Sequence, residues 1–251
     1  FTNMDSALKE KYKTAANKLI LLDYDGTLVD FEPIPDRAKP STQLLDSLRT
    51  IACKPGTEVI VISGRQQFDM DNFLGDLPIN IIAEHGAMIK EGGIWKKQII
   101  DYGLWKHTVL PIFDRITLTC SNSFVEEKQF SLTWHYRNAQ SESGHEHSRE
   151  LIRALRDSAC SYNLRIIDGN KIVEILSKDI DKGIAVRKVL KQKKYDYVLS
   201  IGDDQTDEDM FCALSDYNNT YTIKVGEGLT FAKYRLASVS EVLNLLRHLS
   251  K

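Results

Sequence analysis

Hydrophobic positions along the chain fall into two textures. Short apolar runs come first, continuous at residues 19–22 and 59–62 and broken only by Asn80 at residues 79–83. Bounded by turn formers, such runs read as strands buried on both faces. Between the first two, Leu44, Leu45, Leu48 and Ile51 recur at helical spacing behind Pro40-Ser41, with Ser41 placed to cap the helix. A second helix is expected between Arg65 and Leu74. Strand, helix, strand, helix, strand predicts a parallel, doubly wound sheet.

From Met88 the texture changes. Gly92-Gly93 centres a hairpin over residues 88–97. Trp105, Val109, Ile112 and Ile116 mark a helix that either begins near Pro111 or kinks there. Phe130, Leu132, Trp134 and Tyr136 alternate with Ser131, Thr133, His135 and Arg137, which predicts a strand with one buried and one wet face. A helix carrying Leu151, Ile152, Leu155 and Ala159 follows, then two strands around a turn at Asp168-Gly169-Asn170. The first rhythm resumes at Asp181-Lys182-Gly183: a helix, a strand over 195–201, a helix with Met210, Phe211 and Leu214, a strand over 220–225, and a closing helix with Val242, Leu243, Leu246 and Leu249. The fold class is α/β. A Rossmann-like parallel-sheet core, residues 1–104 and 182–251, is interrupted by an α+β unit over residues 105–181.

Composition narrows the function classes. The hydrophobic share of 42% and charged share of 27% are ordinary for a globular protein. A net charge of −2 makes no electrostatic case for nucleic acid or an anionic membrane. No apolar stretch approaches the roughly 18 residues of a membrane helix. Residues 1–13 lack a signal-peptide core, and the four dispersed cysteines without a Cys-x-x-Cys pair point to a reduced, cytoplasmic compartment. The chain starts with Phe rather than Met, as a piece of a longer polypeptide would.

The candidate chemistry sits at the ends of the apolar runs. The first ends in Asp23-Tyr24-Asp25-Gly26-Thr27. Two carboxylates about 4 Å apart repel by roughly 4 kcal/mol at an effective dielectric of about 20. A proton or a hard cation such as Mg²⁺ must relieve that. Ser63 ends the second run, Lys182 opens the helix after the insertion, and Asp203, Asp204 and Asp207 follow the strand over 195–201. In an open α/β sheet those strand ends share one crevice. A nucleophilic carboxylate, a cation for the phosphoryl oxygens and a proton donor for the leaving oxygen are what phosphoryl transfer needs.

Together, Asp23-x-Asp25-Gly26-Thr27, Ser63, Lys182 and Gly202-Asp203-Asp204 resemble the four signature motifs of the haloacid-dehalogenase-type phosphatases, across the whole chain. The resemblance implies Asp23 as nucleophile and Asp25 as general acid/base. It implies Mg²⁺ held by Asp23, the Asp25 carbonyl and Asp203, supported by Asp204 or Asp207. The insertion would be a cap of the C2 type. Ser63-Gly64-Arg65, Glu84-His85-Gly86, Val125-Glu126-Glu127-Lys128, His135-Tyr136-Arg137 and Lys171-Ile172-Val173-Glu174 further resemble the trehalose-6-phosphate phosphatase family. That resemblance implies hydrolysis of trehalose 6-phosphate, the last step of trehalose biosynthesis, through an aspartyl phosphate, within a larger trehalose-synthesising polypeptide or complex. It implies that Glu126, Lys128 and Glu174 hold sugar hydroxyls.

Spacing alone leaves alternatives. Glu126, Lys128 and Glu174 also read as exposed strand charges. His135 and Arg137 line the cleft or are solvated. His85 contacts substrate or makes a structural hydrogen bond. Arg65 meets the phosphate or salt-bridges a core acid. Asp207 caps a helix or serves the metal. Phosphatases of other sugar phosphates, such as sucrose phosphate, and a non-catalytic regulatory module are the rival functions.

Overall fold

A computed structural model describes residues 2–251, with side chains from residue 6 onward. In chain order the elements are α1 (Thr2–Thr14), β1 (Lys18–Leu22), α2 (Thr42–Ala52), β2 (Thr57–Ile62), α3 (Gln67–Leu74), β3 (Asn80–Ala83), β4 (Met88–Glu91), β5 (Ile94–Lys97), α4 (Lys106–Thr119), β6 (Phe124–Glu127), β7 (Ser131–His135), α5 (Ser141–Ser161), β8 (Leu164–Gly169), β9 (Ile172–Ser177), α6 (Lys182–Gln192), β10 (Tyr197–Gly202), α7 (Gln205–Leu214), β11 (Thr220–Val225), β12 (Tyr234–Leu236) and α8 (Val239–Leu249). They cluster into two compact units, residues 1–98 with 181–251, and residues 99–180. Residues 99–104, expected in the core, group with the second unit.

The first unit is built on an eight-stranded sheet in the order β12-β11-β10-β1-β2-β3-β4-β5. Neighbours from β12 to β3 run parallel, and the β4–β5 hairpin closes the edge antiparallel. Every residue of β1 is buried, as its unbroken apolar run requires. Leu19 and Leu21 pack with Val186 and Val189 of α6 and Met210, Phe211 and Leu214 of α7. Ile20 and Leu22 alternate to the opposite face. There α2, capped by Ser41 accepting from the Leu44 N–H, packs on β2 and on α8. The α/β rhythm in the sequence thus becomes the architecture it implies, a parallel-sheet core.

The second unit is a four-stranded antiparallel sheet, β6-β7-β9-β8, backed by α4 and α5. Leu132, Trp134, Val173 and Ile175 meet Val109, Phe113, Leu151 and Leu155 in one core. The helix α4 begins at Lys106 and carries Pro111 in its interior, at the cost of one backbone hydrogen bond. The hairpin turn lies at Asn170-Lys171, since Gly169 pairs with Ile172 as the last residue of β8. The expected wet face of β7 is not wet: Ser131 and Thr133 are buried at 2% and 0% exposure. The reason is a set of charged groups that share that face, described below.

Candidate active site

The central strand β1 lies between β2 and β10, and the chain runs outward from it in both directions. Ligands of such sheets bind at this switch point, beyond the carboxyl ends of the strands. Asp23 follows β1, and its N–H donates to the Ile201 carbonyl at 3.0 Å, prolonging the pairing with β10. The chain then turns sharply, with the Tyr24 carbonyl accepting N–H groups from Thr27, Leu28 and Val29. Gly26 has φ +78°, and a Cβ there would lie 2.3 Å from Asp203 Oδ2. Only glycine satisfies both demands. The turn delivers the Thr27 hydroxyl 3.2 Å from both Asp23 Oδ2 and Asp203 Oδ1, so its single proton serves one of the two at a time.

Asp203 and Asp204 follow β10. Asp204 caps α7, its Oδ1 accepting from the Thr206 N–H at 2.8 Å and the Thr206 hydroxyl at 2.7 Å. Asp207, one turn on, uses Oδ2 to accept from the N–H groups of Asp203 (2.9 Å) and Asp204 (3.1 Å). Its Oδ1 accepts from Lys182 Nζ at 2.8 Å, and the same ammonium donates to Asp23 Oδ1 at 2.8 Å. Lys182 is 2% exposed and stands in the first turn of α6, whose N-cap is Asp181. Lys224, buried near the end of β11, donates to the Asp203 carbonyl.

Asp23, Asp203 and Asp207 each bring one oxygen within 4.8 Å of the others. Burial, then the neighbouring Asp23 carboxylate, pushes both Asp203 and Asp207 above the usual carboxylate range. Burial alone would lower Lys182, but Asp207 and Asp23 outweigh it and hold the lysine well above its ordinary value. Protons crowd where a hard cation is wanted. Three converging carboxylates fit a divalent ion that prefers oxygen ligands.

Asp25 points elsewhere. Arg65 grips it bidentately, Nε to Oδ2 at 2.7 Å and Nη2 to Oδ1 at 2.8 Å. Nη2 also donates to the Pro35 carbonyl at 3.0 Å. The guanidinium lies over the Tyr24 and Phe73 rings, at 5.7 and 5.2 Å. Ser63 Oγ accepts from the Arg65 N–H at 3.0 Å. His85 sits at φ 58° directly after Glu84 at φ 47°. Such left-handed residues cost of order 1–3 kcal/mol each when not glycine, and cluster at functional sites. His85 N–H donates to the Ser63 carbonyl, and its imidazole lies so close over Gly64 that a Cβ there would meet Cε1 at 2.5 Å.

In the second unit the register aligns Glu126 with Thr133 and Thr133 with Glu174, so all three side chains share one face. Glu174, 1% exposed, accepts at Oε1 from Ser131 Oγ (2.6 Å) and Lys128 Nζ (3.2 Å). Glu126 Oε1 lies 3.2 Å from His135 Nε2 and 3.8 Å from Lys128 Nζ. Burial works against the Glu126 carboxylate, but the His135 hydrogen bond and the Lys128 charge outweigh it and hold its pKa below the ordinary value. The Thr133 hydroxyl, in the centre, has no hydrogen-bond partner among the described residues.

A model of the trehalose-phosphatase family matches residues 21–240. The chain belongs to the trehalose-phosphatase family. A relative from Dictyostelium discoideum named alpha,alpha-trehalose-phosphate synthase (UDP-forming) B is 40% identical over 250 residues, covering 97% of this chain and 31% of its own. The bifunctional trehalose-6-phosphate synthase/phosphatase of Thermoproteus tenax is 38% identical over 243 residues, covering 96% of this chain and 33% of its own. This chain therefore spans about a third of the curated relatives it matches. Among solved structures, the C-terminal domain of trehalose-6-phosphate phosphatase from C. albicans superposes with a TM-score of 0.93 at 29% identity, covering 98% of this chain and 96% of the other.

Within this member of the trehalose-phosphatase family, the residues singled out from sequence fall into three places. Asp23, Lys182, Asp203 and Asp207 converge on one buried centre, with Asp25, Arg65, Ser63 and His85 around the neighbouring strand ends. Asp204 is occupied with capping. Glu126, Lys128, His135 and Glu174 share one face of the second sheet, whereas Arg137 is drawn off to the Asn170 turn, donating to that residue's carbonyl at 2.7 Å. Thr27, Lys224, Ser131 and Thr133 were given no role from sequence. The signal for Lys224 was present: a lysine near the end of an otherwise apolar strand over 220–225.

Proposed function

We propose that this domain hydrolyses trehalose 6-phosphate to trehalose and phosphate, as the phosphatase module of a larger trehalose-synthesising polypeptide in the cytoplasm. The observation that carries the reading is the convergence of Asp23, Asp203, Asp207 and Lys182 on one buried centre, beside an Asp25 held by Arg65. No helix among the described residues is long and apolar enough to cross a membrane.

Asp23 is the nucleophile. A free Oδ lone pair attacks phosphorus as the bond to the sugar oxygen breaks. Lys182 orients the attacking carboxylate and offsets the charge that gathers on the phosphoryl oxygens. Asp25 leaves the Arg65 fork, takes up a proton from solvent and gives it to the departing sugar oxygen, then takes one from the water that attacks phosphorus and frees Asp23. Arg65 engages both Asp25 oxygens until substrate draws the carboxylate toward the centre. Mg²⁺ held by the Asp23, Asp203 and Asp207 carboxylates and the Asp25 carbonyl would supply the remaining positive charge. Glu126 and Glu174 accept from sugar hydroxyls and Lys128 donates to them. An analogue lacking those hydroxyls would forgo these charge-assisted bonds.

A panel of trehalose 6-phosphate, sucrose 6-phosphate, glucose 6-phosphate and p-nitrophenyl phosphate, run with Mg²⁺ and with a chelator, tests the reading. Metal-dependent release fastest from trehalose 6-phosphate is expected, and Asp23→Asn should abolish it with the fold intact. Equal turnover of sucrose 6-phosphate would reassign the substrate. Failure on every ester would favour a regulatory module.

A further inference from the structure

The polar face of the second sheet carries an aromatic ring as well as charges. Side chains two apart on β6 share a face, so Phe124 stands with Glu126. Across the strands its partner is His135. The two rings are stacked, centroids 4.6 Å apart and planes within 8°. His135 meanwhile keeps Nε2 on Glu126 Oε1. One side of the phenyl ring is therefore fixed by an imidazole that also holds a carboxylate. The ring nevertheless remains 40% exposed, while Leu132, Trp134, Val173 and Ile175 on the other face are fully buried. The next residue along the same row, Ile172 beside His135, is also apolar.

A cross-strand aromatic pair at the end of a sheet needs no ligand to explain it. What does call for one is the company it keeps: a flat apolar ring, an ammonium and two carboxylates on one face. A hexopyranose with equatorial hydroxyls has the complementary shape. Its rim offers donors and acceptors to Glu126, Glu174 and Lys128, and its axial C–H bonds form an apolar face that water solvates poorly. Resting on the trehalose-phosphate reading above, we propose that Phe124 determines specificity by packing against the C–H face of the distal, unphosphorylated glucose ring while the charged groups take its hydroxyls. Polar contacts alone would accept many polyols. A flat ring admits only a sugar whose hydroxyls leave one face bare, so it adds a test of stereochemistry that hydrogen bonds do not make.

Steady-state kinetics of wild type, Phe124→Ala, Phe124→Leu and Phe124→Trp on trehalose 6-phosphate, glucose 6-phosphate and p-nitrophenyl phosphate, all with Mg²⁺, decide it. For Phe124→Ala and Phe124→Leu, kcat/KM on trehalose 6-phosphate should fall about tenfold more than on the other two esters, with the loss mainly in KM. Phe124→Trp, which keeps a flat ring, should retain most of the preference. Phe124→Leu keeps an apolar side chain opposite His135 and carries the test should Phe124→Ala fail to fold. Equal losses on all three esters, or an unchanged preference in Phe124→Leu, would overturn the proposal and leave the ring a strand-pairing residue. Wild type that cleaves p-nitrophenyl phosphate but not trehalose 6-phosphate would instead overturn the substrate reading itself.

Discussion

Lys182→Met removes the buried ammonium while keeping the length and the apolar stem of the side chain. Each of the two contacts, 2.8 Å to Asp23 and 2.8 Å to Asp207, corresponds to about 6 kcal/mol of gross attraction at an effective dielectric of about 20. Most of that is offset by the cost of drying the three charges. Removing one partner of a buried pair typically costs about 3–5 kcal/mol, because the remaining charge stays buried without compensation. Here two carboxylates are left, at 8% and 0% side-chain exposure, with Asp203 beside them. The upper end of the range is therefore expected. For a chain of this size each kcal/mol moves the melting temperature by about 2–4 °C, so at about 5 kcal/mol the chelated variant should melt roughly 10–20 °C below wild type. Mg²⁺ then acts in the opposite direction. Without the ammonium there is less positive charge to repel the ion, so the rise in melting temperature on adding Mg²⁺ should be larger in the variant than in wild type. Circular dichroism melts in chelator and in saturating Mg²⁺ measure both quantities. A chelated Lys182→Met melting within about 2 °C of wild type would refute the reasoning, since an ammonium that can be removed so cheaply is not the counter-charge of the acids. A Mg²⁺ response lost along with the lysine would refute it from the other side.

Three further outcomes follow from the same centre. Gly26→Ala places a methyl 2.3 Å from Asp203 Oδ2 at a backbone φ of +78°, so soluble protein, if obtained, should have lost most of its Mg²⁺-dependent turnover, measured as phosphate release. Arg65→Lys replaces a bidentate fork by a point charge; kcat should fall by about one to two orders of magnitude with little change in KM, whereas a change confined to KM would mean that Arg65 touches the substrate rather than Asp25. The pH dependence has a definite sign. Asp207 is pushed from 3.8 up to about 7 in the folded state, so its protonated form adds stability that is complete below the unfolded value and is lost as pH rises through about 7. Asp203 is raised as well, in the same sense. In chelator the melting temperature should therefore decline from pH 5 to pH 8 relative to the same series in Mg²⁺, and parallel curves would count against carboxylates crowded by their neighbours.

Much of the core was legible because strands buried on both faces are apolar on both, and the runs at 19–22, 59–62 and 79–83 are short and bounded by turn formers, which favours strand over buried helix. The elements that escaped notice are those whose burial is one-sided or brief. Helix α1 offers Leu8 and Tyr12 as its buried side chains among the described ones, too few to raise a periodic signal in a lysine-rich segment, and β12 is three residues long. Burial of Ser131 and Thr133 could not be inferred from alternation, because what surrounds them is a charged cluster assembled from three strands. The acids after β10 show where the limit lies. The stretch from Asp204 to Asp207 has capping-box spacing, and the box forms, which local rules foresee. Local rules do not say that the second oxygen of Asp207 is taken by a lysine 25 positions earlier. Nor do they say that Asp25 faces an arginine 40 positions later, or that Thr27 bridges to Asp203 across 176. Roles set within one helical turn could be read in advance. Roles set by topology could be read only as far as the parallel sheet brings strand ends to one edge, which names the residues that meet but not which of their atoms do. Arg65 is the case where that difference matters most: sheet topology brings it to the right edge, and only the loop between β1 and α2, through Asp25 and the Pro35 carbonyl, fixes where its fork points.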